Sequence, residues 1–421
     1  MAFKNEVLAI KDEIIETTQK LIQFNTVETE PLPNAPFGKG NREALDYVLA
    51  IGKQWGFTIK DLDGYAGYFE FGEGEEVIVI MPHLDVVPEG TGWDYPPFGG
   101  EIHNGSIYGR GASDNKGPAV AALYGFKLVR DSGLAVKKRV RLVFGCDEES
   151  GFKCVKHYIK TEGLPTGGFT PDGVFPVVHA EKGVLSGDFV TTLSEGTIKL
   201  TFTGGTAHNV VPAYAKAAFE GIIYEATGVA AHASTPELGD NAIIKLAREL
   251  QNVINHPVLD FLKIASDSES LGITAQDEVS GHLTYNLGLI KVDERTATLT
   301  VNIRYPVTHN AAEIIEKLKA AGKAYDFSFE SYSDSPPHYV SKESQLVSTL
   351  LGIYTRVTGL TGKPLALGGG TYARVLGNFV AFGAHFPGNA HSAHCKNESI
   401  SIDTLLKATE IYAHAIYELA R

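Results

Sequence analysis

No stretch of the 421-residue chain is long and apolar enough to cross a bilayer, which excludes a helical membrane protein. Basic residues are in deficit: 37 Lys and Arg against 50 Asp and Glu leave a formal net charge of −13. Binding a phosphate backbone needs a surplus of Lys and Arg, so nucleic acid is excluded as a partner. Cysteine is scarce. Cys146, Cys154 and Cys395 are odd in number and lack a paired spacing, as expected in a reducing compartment rather than in a disulfide framework. There is no tandem repeat and no low-complexity segment. The run Gly368-Gly369-Gly370-Thr371 has no following Lys, so it is not a phosphate loop. The first residues, Met1-Ala-Phe-Lys-Asn-Glu6, continue into an amphipathic helix rather than a signal peptide, and the expected location is cytoplasmic.

What is present is an ordinary globular composition on a chain too long for a single core, so two domains are expected. Apolar positions between Lys4 and Gln23 recur at helical spacing, and Arg42 to Trp55 predicts a second helix after a Pro/Gly-rich loop. Strand and helix patterns then alternate to about Gly183, the rhythm of a mostly parallel sheet. Beyond it, short alternating strands such as Thr197 to Thr203 and Thr296 to Arg304 flank helices at Asn241 to Asn255 and Ala311 to Ala321. That is the rhythm of a small α+β domain. The helix at Lys342 to Thr358 and the Gly-rich segment Leu367 to Arg374 return to the first style. The expected organisation is a domain made of 1–183 and 339–421, with a smaller domain, 184–338, inserted in it.

Three segments carry the chemistry: Met81-Pro-His83-Leu-Asp85, Gly109-Arg-Gly-Ala-Ser-Asp114-Asn-Lys-Gly117 and Asp147-Glu148-Glu149-Ser-Gly151. Two follow buried-strand patterns, Val77 to Met81 and Val140 to Phe144, and one opens the helix Gly117 to Arg130. In an open α/β sheet, groups at the carboxyl ends of strands converge on one crevice. Imidazole nitrogen and carboxylate oxygen suit a zinc-type divalent ion, and one carboxylate can bridge two ions about 3.5–4 Å apart. Asp114 on a Gly-shaped turn fits a bridge. Of the pair Glu148-Glu149, one can bind metal while the other moves protons. Asp85 is placed to orient the second ring nitrogen of His83.

These blocks, with Phe169-Thr-Pro-Asp172-Gly-Val-Phe-Pro176, Ala180-Glu-Lys-Gly183 and His394-Cys-Lys-Asn-Glu398, resemble the M20 metallopeptidase family, most of all its PepV-like dipeptidase branch. The likeness covers nearly the whole chain, with the blocks in the family's order. It implies two divalent ions per chain, Zn2+ first with Mn2+ or Co2+ as alternatives. His83, Asp114 and Asp172 would hold one, and Asp114, Glu149 and His394 the other. Glu148 would be the general base and acid. An Asp at position 172 is usual in members that cleave substrates with a free amino terminus, whereas Glu is usual in deacylases and carboxypeptidases. Asn115 stands where many relatives have a second Asp, and His391 competes with His394 for the last ligand role.

The resemblance extends to the inserted part, an expected ferredoxin-like lid. Gly228-Val-Ala-Ala-His232 resembles the block whose His stabilises the oxyanion, and Val301-Asn-Ile-Arg304 the block whose Arg binds the substrate carboxylate. Asn209-Val-Val-Pro212 resembles a further substrate-contacting block, where His208 could serve instead, and Gly369 and Gly370 would line the substrate site. Asn209 precedes His232, the order of relatives whose enlarged lid completes the site within one chain, but the connection from Pro212 to His232 is short, so monomer and homodimer both stay open. The expected activity is hydrolysis of dipeptides or short peptides. The alternatives are an N-acyl or N-succinyl amino acid deacylase and a catalytically silent peptide-binding homologue.

Overall fold

The computed structural model describes residues 3–389 and 392–421. Its contacts divide the chain into two compact units: Met1–His179 with Val340–Leu365 and Thr371–Arg421, and Ala180–Tyr339 with Ala366–Gly370.

The first unit is built on a sheet with a parallel centre. Strands Arg139–Gly145, Val77–Ile80, Gly167–Thr170 and Phe379–Ala381 lie side by side in that order, all parallel. They are short and mostly apolar, as expected of strands covered on both faces, with Arg139 and Arg141 the charged exceptions among them. Ala66–Phe71 and then Thr58–Leu62 extend one side with antiparallel pairing. Helix Lys116–Asp131 packs against Ile402–Ala420, and Gly125 lets the two approach. A Cβ there would lie 3.0 Å from the backbone nitrogen of Ala413. The N-terminal helical pattern is realised as two helices, Lys4–Ala9 and Lys11–Ile22. Ile10 leaves helical geometry between them, at φ −112° and ψ 18°.

The second unit is α+β. Its main sheet has seven strands in the order Ile222–Thr227, Tyr214–Phe219, Leu200–Gly204, Thr284–Val292, Thr296–Tyr305, Gly183–Thr192 and Ser328–Ser335, with every neighbouring pair antiparallel. Buried and half-exposed residues alternate along Gly183–Thr192, because one face meets a core shared with helices Ala242–Leu250, Pro257–Ile264 and Ala311–Lys323. Asn241 and Asn310 start two of these helices by accepting backbone N–H bonds. The residues 366–370 fall in this unit, not with the first as their Gly-rich pattern suggests. The Lys182 N–H donates to the Leu367 carbonyl at 2.9 Å, and the Arg304 guanidinium donates to the Gly368 carbonyl at 3.1 Å. Among the described residues no helix is long and apolar enough to cross a membrane.

Candidate active site

Three neighbouring parallel strands of the first unit end at one edge and lead into His83, Glu148-Glu149 and Asp172. Asp114, at the start of helix Lys116–Asp131, lies among them. Its Oδ1 is 3.0 Å from His83 Nε2, and its Oδ2 is 3.1 Å from His394 Nε2. His394 Nε2 is also 3.1 Å from Glu149 Oε1, and His83 Nε2 is 3.8 Å from Asp172 Oδ2. The donor atoms of His83, Asp114 and Glu149 all lie within 4.8 Å of one another, and so do those of His83, Glu148 and Asp172. Asp114 thus turns one oxygen to each imidazole, the disposition a bridging carboxylate needs. His391 lies outside the described residues.

Neighbouring side chains fix these groups. His83 is fully buried, and its Nδ1 lies 3.0 Å from the Asp85 backbone carbonyl and 3.4 Å from the Asp85 carboxylate. The hydrogen bond expected from the Asp85 side chain is made by its main-chain carbonyl, with the carboxylate oxygen standing farther off. The other Asp85 oxygen accepts from the backbone N–H groups of Glu148 and Glu149 at 2.8 and 3.0 Å, so one residue ties the His to the tandem carboxylates. Asn115 donates its amide to the Pro171 carbonyl at 2.7 Å and accepts from the His83 N–H at 3.4 Å. An ionised Asp could only accept, so the amide links two ligand-bearing segments in a way a carboxylate could not. The sequence marks Asn115 only as a departure, and Arg110 and Glu398 only as members of their blocks, not as the pair that meets across the fold.

The electrostatics of this cluster call for cations. Burial, and then the Asp172 charge, push the Glu148 carboxyl well above its ordinary range, and burial followed by Asp114 raises Glu149. Burial opposes protonation of His83, yet hydrogen bonds to Asp114 and Asp85 outweigh it and hold the imidazole well above its usual value. Hydrogen bonds to Asp114 and Glu149 raise His394 to about 11. Asp114 is lowered: burial works to raise it, but the two imidazoles prevail. Four carboxyl groups in so small a space must be protonated or neutralised, and imidazole nitrogens with carboxylate oxygens are the donors of a borderline divalent ion. The residues present fit a metal centre.

The remaining candidates stand in the second unit. Arg304 is buried. Its Nε donates to Asn302 Oδ1 at 2.9 Å, its Nη1 donates to the Gly368 carbonyl, and Asn302 in turn donates to Ser186 Oγ at 2.7 Å. Gly369 and Gly370 follow Gly368 directly. The Asn209 and His232 segments are laced together by an antiparallel bridge between Val210 and His232, with the Ala233 N–H donating to the Asn209 carbonyl at 2.9 Å. His232 Nδ1 is 2.6 Å from Ser234 Oγ. Asn286, which carried no signal in the sequence, donates to the carbonyls of His208 and Val210 at 3.1 and 3.0 Å, on either side of Asn209. Gly288 lets the loop lie close, since a Cβ there would meet the His208 carbonyl oxygen at 2.3 Å. Burial, and next the Arg304 charge, lower the His208 pKa and favour its neutral form. His103 and His157, by contrast, are held by Glu101 and Asp63 and stack on Tyr95 and Tyr65, as structural histidines do.

The fold is a mixed α/β one with a candidate metal centre, and comparison with known proteins gives the family. The model of peptidase family M20/M25/M40 matches residues 79–418. The chain belongs to this family. A Bacillus subtilis (strain 168) protein with a provisional dipeptidase name, YtjP, is 39% identical over 466 aligned positions covering 100% of both chains. A provisionally named dipeptidase of Staphylococcus epidermidis is 35% identical over 99% of each. Solved structures of the same fold include human carnosine dipeptidase 1, with TM-score 0.64, 12% identity and coverage of 100% of this chain and 99% of that one. Dug1p, a di-peptidase of Saccharomyces cerevisiae, has TM-score 0.63 at 14% identity, covering 98% and 97%. The protein is thus an M20 peptidase with dipeptidase-named homologues, and it contains candidate metal-ligand groups.

Proposed function

We propose that this protein hydrolyses the peptide bond of dipeptides or short peptides with a free amino terminus, using two zinc-type divalent ions. The observation that carries the reading is Asp114, with one oxygen facing His83 and the other facing His394. His83, Asp114 and Asp172 would hold one ion, and Asp114, Glu149 and His394 the other. Ions bound there would supply Lewis acidity to the scissile carbonyl and lower the pKa of water.

The protein's own groups do the rest. Glu148, held by its backbone N–H on Asp85, takes the proton of the attacking water and returns it to the leaving amine. Burial and the Asp172 charge raise the proton affinity of this carboxyl, the direction that suits a group that accepts a proton and passes it on. His232 donates to the oxyanion, while Arg304 offers its guanidinium fork to the substrate carboxylate and Asn209 adds a polar contact. Asp172 in place of Glu, and the dipeptidase names of the relatives, support a free-amine substrate over an N-acyl one.

The test is amino acid release from a panel of dipeptides, set against N-acetyl and N-succinyl amino acids. Metal-stripped protein is assayed with zinc, manganese or cobalt restored. Metal-dependent release from dipeptides alone is expected. Preferential turnover of the acylated amino acids would make it a deacylase, and no turnover of either with full metal would make it a silent homologue.

A further inference from the structure

Glu398 is fully buried, and its carboxylate is committed to donors rather than turned to the ligand cluster. Oε1 accepts from the Ser113 N–H at 2.9 Å, the Ser113 hydroxyl at 3.1 Å and the Asp114 N–H at 2.9 Å. Oε2 accepts from Arg110 Nη1 at 2.6 Å. The buried Arg110 guanidinium then reaches three more acceptors: the Cys395 carbonyl at 3.3 Å and the carbonyls of Pro88 and Glu89 at 3.3 and 3.2 Å. The Trp93 ring covers it, 5.4 Å from the guanidinium carbon.

One ion pair therefore touches the segment after His83, the residue next to His394, and the backbone of Asp114 itself. The segment from 394 to 398 needs such fastening. His394 and Asn397 both take left-handed backbone, at φ 61° and 57°, a region uncommon for non-glycine residues, so two such positions close together in this segment favour outside support. Asn397 is tied at its own side chain, accepting from the Asp94 N–H at 2.8 Å. Stability alone is a weak reason for a buried ion pair, because well-packed apolar residues usually serve as well. Aim is a better one, since groups that orient metal ligands act through such contacts.

We propose that Glu398, acting through Arg110, is a positioning residue: it sets Asp114 against His394 and thereby the affinity of the proposed metal pocket. The inference rests on the metal reading given above. Cobalt titration of metal-stripped full-length protein, followed by visible absorption, tests it together with thermal melts of the metal-free proteins. The parent should take up two equivalents. Glu398→Gln keeps an acceptor for the backbone N–H groups but sets an amide donor against the guanidinium, and it should weaken at least one cobalt site about 10–100-fold with a changed spectrum. Arg110→Gln with Glu398→Gln removes the unpaired charge, and it should regain melting temperature without regaining cobalt affinity. Should Glu398→Gln fail to fold, Ser113→Ala, which deletes one hydroxyl bond and leaves the ion pair, should still lower the affinity of one site. Unchanged cobalt affinity in the variants that fold would overturn the proposal alone, as would recovery of affinity and stability together in the double variant. A parent that binds no cobalt would overturn the metal reading and this proposal with it.

Discussion

In the first unit, of the side chains proposed to hold metal, His83, Glu149 and Asp172 follow the ends of adjacent parallel strands, Asp114 precedes a helix and His394 lies on a loop, and their imidazoles and carboxylates stand 3.0 to 3.8 Å apart. In the second, the side chains proposed to read the substrate stand on an antiparallel sheet and its loops, and neutral amides or backbone hold them: Asn302 for Arg304, Asn286 for the His208–Val210 loop. The first arrangement gathers charge that demands a cation. The second offers one charged fork and several neutral donors, which suits a small anionic group and a developing oxyanion. If that division is real, damage to the first unit should remove metal and turnover, and damage to the second should change substrate affinity or orientation with the metal intact.

The largest effect is expected at Asp114, the carboxylate that faces both imidazoles. Asp114→Ala should retain fewer than about one metal ion per chain by elemental analysis, since a bridging ligand serves both. Its activity should fall beyond the roughly 10²–10⁴ attributable to a lost proton carrier. Two retained ions would remove the bridge. Glu148→Gln sharpens the contrast from inside the same unit: metal content near that of the parent, with kcat lower by on the order of 10² to 10⁴. Near-parent turnover at full occupancy would reassign the proton carrier.

His232 could break the comparison, for it stands in the second unit yet is proposed to act on the reacting atoms. His232→Ala should lower kcat by on the order of 10² to 10³, the usual cost of an oxyanion donor, with metal content unchanged. The same variant asks which chain it serves. Asn209 and His232 are laced into one ladder, so both should serve the same site. From the order of the two blocks, the expectation is that this site belongs to their own chain. The alignment with the Bacillus relative spans 466 positions for the 421 residues here, so segments of that relative have no counterpart in this chain. Mixing His232→Ala with Glu148→Gln under subunit exchange should leave both inactive. Recovered activity would mean that a partner chain supplies the His.

Arg304→Met should raise KM for dipeptides by about 10–100-fold, the equivalent of roughly 1.5–3 kcal/mol for hydrogen bonds to a charged group. Substrates with an amidated carboxyl terminus, poor for the parent, should be spared. Equal losses on both would show that Arg304 does not read the carboxylate.

The two units also differed in how much their sequence disclosed. The α/β class was readable because Val77–Ile80 is an apolar run and Arg139–Gly145 ends in one, each followed closely by ligand-type side chains, so strand, turn and chemistry are contiguous. His83, Asp114, Asp172 and His394 fall within short patterned blocks, and the fold brings those blocks together. Arg110 and Glu398 were not readable as a pair, because nothing local in either says that a segment 288 residues away will meet it. The break at Ile10 was hidden by an apolar stripe that continues through it. The grouping of 366–370 with the second unit was hidden because hydrogen bonds to Lys182 and Arg304, not composition, place it there. Asn302 continues the alternating polar positions of Thr296–Tyr305, and Asn286 is a single amide on its strand; neither pattern says what the side chain holds until register decides what it faces.

Asn286 gives the smallest and most selective prediction. Its side-chain amide donates to the carbonyls on both sides of Asn209, and it makes these bonds from a buried position on strand Thr284–Val292. Asn286→Ala leaves two acceptors without that donor, at a net cost of about 1 kcal/mol or somewhat more per lost bond. The loop cannot simply move away, because it lies over Gly288 and its neighbour His232 is laced to it. Part of the cost should therefore appear as lower melting temperature and part as a looser Asn209. The expected kinetic signature is a rise in KM of about fivefold, the equivalent of 1 kcal/mol, with kcat and metal content close to those of the parent. A fall in kcat of His232→Ala size would mean that Asn286 aims the oxyanion donor rather than the substrate contact. An unchanged KM beside a lowered melting temperature would mean that the Asn209 loop takes no part in binding, and the division of labour between the two units would then rest on Arg304 alone.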